Sequence, residues 1–245
     1  MKKKKGLFFK LVYLIAKLRV GKYKFVGLDN IPDEPSLIIS NHAQTYGPVV
    51  SQTRYPFKVH AWCTGEMLNK KEIPEYAMKD FWASRSKFKR GVCRIFIKII
   101  APFVAHVFNG LNAIGVYKDA RIMVTFKHTV ELLKQGEHII IFPEKHSPYN
   151  NVINDFQDKF IDVARLYYKT TGKEVNFVPT YIAPRLKTVV FGRPIAFNAK
   201  IDVNVLREEI GKYLKEEITN LALELPLHRV VPYENLPKKK YPYSK

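Results

Sequence analysis

The chain has 245 residues, of which 47% are hydrophobic, so it can bury a sizeable core and does not resemble a disordered protein. Its 41 lysines and arginines against 22 acidic residues give a net charge of +19, which attracts phosphate in nucleic acid, anionic lipid or a cofactor. The only two cysteines, Cys63 and Cys93, form no CxxC pair and exclude a disulfide framework. His60 with Cys63 makes at most half a metal site, so we expect no metal and two core cysteines in a reduced compartment.

The N-terminal segment 1–22 carries apolar residues at helical spacing between lysines, in "MKKKKGLFFKLVYLIAKLRVG". It lacks a small-residue cleavage site and is too short and too charged to span a bilayer. Two interpretations remain open. The helix lies in the plane of an anionic membrane, or its apolar face packs on its own domain. The apolar stripe consists of Leu7, Leu11, Leu14, Ile15 and Leu18.

Seven short apolar runs follow, and their continuous apolar character predicts strands that are covered on both faces. Helical stretches lie between them, so we predict one α/β domain over 23–225. Its fold class is a mixed, largely parallel sheet flanked by helices. The predicted strands are 24–28, 36–40, 57–62, 112–117, 137–142, 175–182 and 188–192.

Two stretches have the apolar stripe of a core helix, one that ends at Gly136 and one over 204–224. The segment 91–108 is strongly apolar but carries Arg94 and Lys98, which suit partial membrane contact better than a buried core. We expect Pro102 to kink or divide any helix in that segment.

The last segment, 226–245, ends in "PKKKYPYSK" and reads as an extended basic arm. An ordinary solvated terminus explains the same composition.

The sequence contains no G-x-S-x-G nucleophile elbow, no phosphate-binding P-loop and no G-x-G-x-x-G turn. Four other stretches occur in a recognisable order, namely "NHAQTYGP", "LNAIGVYKDAR", "IFPEKHSP" and "FVPTYIAP". Over roughly residues 20–195 this set resembles the glycerolipid acyltransferases of the lysophosphatidic acid type, with their N-H-x4-D, G-x-I-x-x-x-R, F-P-E-G-T-R-S and V-P-x-x-I motifs.

The resemblance implies that His42 is the general base that takes the proton from a glycerol hydroxyl. The aspartate that orients this base in the family is replaced here by Gly47. By analogy with a serine-protease triad, losing the orienting acid lowers turnover by about 10⁴. Glu66 or Glu144 could substitute for the acid, or Tyr46 or Gln44 could orient the ring by a neutral hydrogen bond. The histidine could also merely pack or cap a helix.

The resemblance also implies that Glu144 holds the glycerol part of the acceptor, on a turn shaped by Phe142 and Pro143. The arginine that grips phosphate in this motif is lost, although Lys145 leaves a positive charge beside it. A second phosphate site corresponds to Lys118 and Arg121 at a helix start. The full set of implied substrate-binding residues is Asn41, Lys118, Arg121, Phe142, Pro143, Lys145, His146, Val178 and Pro179, the last two shaping an acyl pocket.

These residues predict a peripheral or monotopic acyltransferase on the cytoplasmic face of an anionic phospholipid membrane. Its donor would be acyl-CoA or acyl carrier protein, its acceptor a lysophospholipid such as 1-acyl-glycerol-3-phosphate, and it would need no cofactor. The alternative is a lipid-binding relative with impaired chemistry, because Gly47 replaces the aspartate. A nucleic-acid partner is not expected, since no recognised motif accompanies the positive charge.

Overall fold

A computed structural model describes residues 6–80, 82, 86–117, 119–234 and 236–245, with the side chains of 87 and 146–149 left out of the description. Lys118 lies outside the described residues. The helices are Leu7–Val20 (α1), Tyr46–Thr53 (α2), Ile73–Asp80 (α3), Lys87–Gly110 (α4), Ile122–Lys134 (α5), Asp162–Thr171 (α6) and Val203–Glu224 (α7).

Strands alternate with these helices along most of the chain. They are Lys24–Val26 (β1), Ser36–Ser40 (β2), Val59–Thr64 (β3), Ile114–Val116 (β4), His138–Ile141 (β5), Glu144–Tyr149 (β6), Asn154–Phe156 (β7), Asn176–Ala183 (β8), Thr188–Phe191 (β9) and Ile195–Ala196 (β10). All seven strands predicted from the sequence are present, and β6, β7 and β10 are additional.

Within the described part of the chain, eight strands form one sheet in the order β1-β9-β8-β2-β5-β3-β4, with β10 also paired to β8. The run from β8 to β4 is parallel throughout, while β9 and β10 pair antiparallel to β8. The prediction of a mixed, largely parallel sheet flanked by helices is confirmed. A separate antiparallel pair, β6 with β7, follows the end of β5.

Alternate residues of the central strands face opposite helical layers, which is why these strands are apolar throughout. Leu37 and Ile39 point into a core shared with α5, α6 and α7. Ile38 points into a second core that includes Val20 of α1 and Val50 of α2. All three strand residues are completely buried.

The helices α1 and α4 pack against each other, and both leave large apolar side chains exposed. The ring centroids of Phe8 and Phe103 lie 5.3 Å apart, and Phe9 is buried. The predicted stripe of α1 does not pack on the domain, because all five of its members are at least half exposed. These exposed residues are Leu7, Leu11, Leu14, Ile15 and Leu18 on α1, with Phe88, Val92, Ile95, Phe96, Ile99 and Phe103 on α4.

Helix α4 is continuous from Lys87 to Gly110 with Pro102 inside it, so of the two effects expected of this proline, a kink or a division, the helix is not divided. The missing N–H of Pro102 removes only one bond of the helical ladder. By length and composition Phe88–Gly110 could cross a membrane, and only 17% of its apolar window is buried. It is therefore not a buried core helix.

We expect that Gly110→Ala weakens the packing of α1 on α4. A Cβ at this position would lie 2.4 Å from the buried ring of Phe9. Crowding of this kind costs about 1–3 kcal/mol, which urea unfolding would measure. The matched control is Gly91→Ala in the same helix, where a Cβ meets nothing within 4 Å. Equal stability of the two variants would contradict the proposed close approach.

Candidate functional site

The carboxyl ends of β2, β5 and β8 meet at one edge of the sheet, because these three neighbouring strands are parallel. His42 follows β2 and Glu144 follows β5, so the topology brings both residues together. Asn41 lies beside them and is buried. Its side-chain amide donates to the carbonyl oxygen of Ile182 at 3.0 Å and accepts from the N–H of Ile182 at 2.7 Å. Asn41 therefore joins the end of β2 to β8 through protein contacts.

The turn after β2 has an unusual backbone. Ala43 and Gln44 have φ angles of +46° and +55°, in the left-handed region that residues other than glycine rarely adopt. This conformation directs the carbonyl oxygen of Gln44 back toward the preceding histidine. The Nδ1–H of His42 donates a hydrogen bond to that oxygen.

This hydrogen bond defines the tautomer of His42. A carbonyl oxygen can only accept, so Nδ1 must carry the proton, and Nε2 of the neutral ring keeps its lone pair. Burial lowers the pKa of His42 below its usual value of 6.5, against the opposing effect of the bond to Gln44. The ring is therefore neutral near pH 7 and able to accept a proton at Nε2.

Two aromatic rings hold the imidazole edge-on. Phe142 lies 5.3 Å from it and Tyr233 lies 5.5 Å from it, centroid to centroid. Phe142 follows β5, whereas Tyr233 belongs to the C-terminal segment. Phe142, a predicted site residue, therefore lies beside the predicted base.

Glu144 contacts the histidine through the backbone and not through the ring. Its Oε1 accepts from the N–H of His42 at 2.6 Å, and its Oε2 accepts from the N–H of Asn154 at 3.0 Å. Glu144 as a whole residue is only 3% exposed. Burial raises the pKa of Glu144 to about 7, although both N–H donors favour the charged form. Glu144 thus connects the turn after β2 to the β6–β7 hairpin.

The other candidates for orienting the ring lie elsewhere. Glu66 follows β3, two strands from β2, in a short turn beside Tyr117. Tyr46 packs with Ala43 and the C-terminal segment. Gly47 is buried, and a Cβ on it would lie 2.5 Å from the carbonyl oxygen of His42 and 2.9 Å from the Phe142 ring. The turn therefore leaves no room for the aspartate of the family motif.

Two described residues implied to bind phosphate, Arg121 and Lys145, make their contacts away from His42. Arg121 makes hydrogen bonds of 2.8–3.0 Å with the carboxylate of Asp119, lies near Glu72 and stacks 4.1 Å above the Tyr117 ring. Arg121 follows β4, which lies three strands away from β2 in the sheet. At the usual strand spacing, β4 and β2 are roughly 14 Å apart. Lys145 lies next to Glu144 but lines a groove against α7.

The remaining predicted positions are only partly described. The backbone of His146 lies in β6, and Lys118 is outside the described residues. Val178 and Pro179 are buried in β8, opposite Ile38 and Ile39 of β2. Val178 packs in the core on the α1 and α2 side of the sheet.

The described residues of the C-terminal segment 226–245 pack over this edge of the sheet, so the interpretation of the segment as a solvated terminus is wrong. His228 accepts from the buried hydroxyl of Tyr181 at 2.9 Å, since its own Nδ1–H donates to the carbonyl of Pro226. Val231 and Tyr241 are buried against Ala43. Sequence reasoning missed these contacts, and the tyrosines among the lysines were the one available signal, because tyrosine often packs with its hydroxyl bonded.

The segment also forms one side of a basic groove at this edge. Every charged side chain that lines the groove among the described residues is positive. The lining side chains are Arg185, Leu186, Leu227, His228, Arg229, Lys238, Lys239 and Tyr243. Arg185 follows β8, whose end lies beside that of β2.

Comparison with known proteins gives a relationship at the level of the fold. No family model matches the sequence, and no curated protein matches it. The structure is similar to the crystal structure of the 1-acyl-sn-glycerophosphate acyltransferase PlsC from Thermotoga maritima, with a TM-score of 0.50 and 14% sequence identity. The match covers 89% of this chain and 81% of PlsC. The chain therefore has an acyltransferase-like fold.

We expect Gly47→Asp to destabilise the protein and not to restore a catalytic dyad. The new side chain would collide with the backbone of His42, at a cost of about 1–3 kcal/mol. Gly47→Ala should lose stability for the same reason in thermal or urea unfolding. Gly211→Ala is the control, because a Cβ at this helical position meets nothing within 4 Å. A Gly47→Ala variant as stable as this control would contradict the crowded turn.

Glu144 gives the stability of the protein a defined pH dependence. Its raised pKa means that the folded state holds the proton more tightly than the unfolded state does. The resulting stabilisation is complete below about pH 4.5 and is lost as the pH rises through about 7. Relative to Glu144→Gln, the wild type should therefore lose about 3 kcal/mol of unfolding free energy over this range.

Urea titrations of both proteins between pH 4.5 and 7.5 would measure this difference. Glu131→Gln is the matched control, since the Glu131 side chain is 59% exposed and pairs with Lys134 on the helix surface. It should keep the wild-type pH dependence. A constant difference between wild type and Glu144→Gln across the range would show that burial does not raise this pKa.

Proposed function

We propose that the protein is a membrane-peripheral acyltransferase. It would move a fatty acyl group from acyl-CoA or acyl carrier protein to a lysophospholipid such as 1-acyl-glycerol-3-phosphate. The observation that carries the proposal is the tautomer of His42, whose Nδ1–H is held by the Gln44 carbonyl so that Nε2 is the basic nitrogen. The acyltransferase-like fold supports the same reaction class.

In the proposed reaction Nε2 of His42 takes the proton from the acceptor hydroxyl as the oxygen attacks the thioester carbonyl carbon. The tetrahedral intermediate then expels the thiolate as its C–S bond breaks, and the thiolate takes the proton from the imidazolium. The products are the ester and the free thiol. A positioned base of this kind contributes about 10²–10⁴ to the rate.

The ring is oriented by a neutral group in this chain. The Gln44 carbonyl fixes the tautomer as an aspartate would, but it carries no full charge to stabilise the imidazolium. The buried carboxyl group of Glu144 accepts from the backbone N–H of His42 and does not orient the ring. We therefore expect catalysis that is weaker than a histidine–aspartate pair provides.

Two surfaces support a lipid acceptor and a phosphate-bearing donor. The exposed apolar faces of α1 and α4 adjoin each other and resemble a membrane-contacting surface, in a chain with a net charge of +19. The basic groove that contains Arg185 and Arg229 lies at the same edge of the sheet as His42. Its charge suits the phosphates of a CoA-type donor or an acidic carrier protein.

The second candidate is a lipid-binding protein without acyl transfer. It is favoured by the crowded Gly47 and by Arg121, which is paired with Asp119 and Glu72 within the protein. In that case the anionic lipid would bind while His42 performs no chemistry.

Acyl transfer by the purified protein distinguishes the two candidates. With radiolabelled acyl-CoA or acyl carrier protein and a panel of lysophospholipids, His42→Ala should lower the rate by at least about 10². The wild-type rate should fall as the pH drops through the pKa of His42, which burial places below 6.5. His128→Ala, an exposed histidine on α5, is the control and should keep the wild-type rate.

An equal rate in His42→Ala and wild type would overturn the role of this base. If no donor and acceptor pair reacts while the protein still binds phospholipid vesicles that contain lysophospholipid, the lipid-binding candidate replaces the enzyme.

A further inference from the structure

The turn that orients His42 is held from outside by the C-terminal segment. Gln44 lies at its centre, and both ends of the Gln44 side chain are bound by this segment. Its Nε2 donates to the carbonyl oxygen of Glu234 at 3.0 Å, and its Oε1 accepts from the hydroxyl of Tyr241 at 3.0 Å. Residue 241 is 197 positions away in sequence, so the contact depends on the complete fold.

The backbone of this turn needs such support. A residue other than glycine in the left-handed region costs roughly 1–2 kcal/mol, and Ala43 and Gln44 both adopt it. Strained backbone persists only where its surroundings determine it. Here Ala43 is fully buried in a small cluster with Val231 and Tyr241. The segment thus contacts the turn through apolar packing and through two hydrogen bonds.

The segment is itself anchored on the sheet. Tyr181 of β8 donates to His228 in a buried contact. The two halves of the segment then pair with each other, through Val230 N–H to the Pro242 carbonyl at 2.9 Å and Ser244 N–H to the His228 carbonyl at 3.0 Å. The support under the turn is therefore a folded element and not a loose end of chain.

We propose that the C-terminal segment positions the base. Tyr241 and the backbone of Glu234 hold Gln44 in the conformation whose carbonyl fixes the Nδ1–H tautomer of His42. Tyr241 is a positioning residue, because it acts through Gln44 and does not touch the imidazole. The effect of Tyr241 on catalysis rests on the acyl-transfer function proposed above. The effect of Tyr241 on the His42 tautomer is independent of that function.

Two substitutions separate this role from general stability. Tyr241→Phe removes only the hydroxyl that donates to Gln44. Gln44→Ala removes both side-chain contacts with the segment but keeps the backbone carbonyl that accepts from His42. Tyr213→Phe is the matched control, since it removes a hydroxyl of α7 that donates to the carbonyl of Arg193 at 2.9 Å, outside both the turn and the basic groove.

The ¹⁵N chemical shifts of the His42 ring measure the tautomer without substrate. In the wild type and Tyr213→Phe we expect the Nδ1–H form, and in Tyr241→Phe and Gln44→Ala a mixture of both tautomers. In the transfer assay the same two variants should lose about 10- to 100-fold in kcat with little change in KM, because a misplaced base affects the chemical step.

An unchanged His42 tautomer in both Tyr241→Phe and Gln44→Ala would overturn the proposal. The NMR measurement needs no acyl transfer. If no transfer is found but the tautomer changes in the two variants, the proposed function fails and the positioning role is retained. Melting temperatures of all three variants would show whether the segment stays folded.

Discussion

The arrangement of the site depends on the two hydrogen bonds that the carboxyl group of Glu144 accepts. This group is buried, and it binds the backbone of two other segments, the turn after β2 and the start of β7. A buried carboxyl group is costly unless its oxygens are bonded, and here each oxygen has a backbone donor. The sheet brings β2 and β5 side by side, and Glu144 fixes how the chain leaves both strands.

In the turn after β2, the backbone carbonyl of Gln44 orients the histidine ring. The acyltransferase motif uses a charged aspartate for this purpose. A carbonyl oxygen can select a tautomer as well as a carboxylate can, but it contributes only a dipole when the ring becomes charged. The absence of a Cβ at position 47 allows the turn to close over itself. The two features belong together, because a turn tight enough to present the Gln44 carbonyl leaves no room for an acid at position 47.

Much of the fold could be predicted from the sequence because its central strands are buried on both faces. Continuous runs such as those in β2 and β5 are a strong signal, and parallel neighbours bring the residues that follow them to one edge. The resemblance implied that His42 and Glu144 share a site, but the sequence could not place the Glu144 carboxyl group relative to the histidine ring. The short strands β6, β7 and β10 could not be predicted from the sequence, since they lack a continuous apolar run.

The sequence offered Gln44 as one of several groups that could orient His42, but it could not select Gln44 among them, for two physical reasons. Positive φ angles at Ala43 and Gln44 have no signature in residue type, because glycine and asparagine are the residues that usually mark them. The contacts of Tyr233 and Tyr241 join residues almost two hundred positions apart, and the lysines and prolines around them are typical of solvated ends. Long-range packing decides both features.

The small cluster of Ala43, Val231 and Tyr241 has a consequence for the thermal behaviour of the site. It is separate from the two large cores of the sheet, and small units of this kind open locally at a free energy below that of global unfolding. Detachment of the C-terminal segment would release the turn while the sheet stays intact. The fraction of molecules with an ordered His42 would then decrease with temperature before the protein melts, and ligands that bind across the segment would increase it.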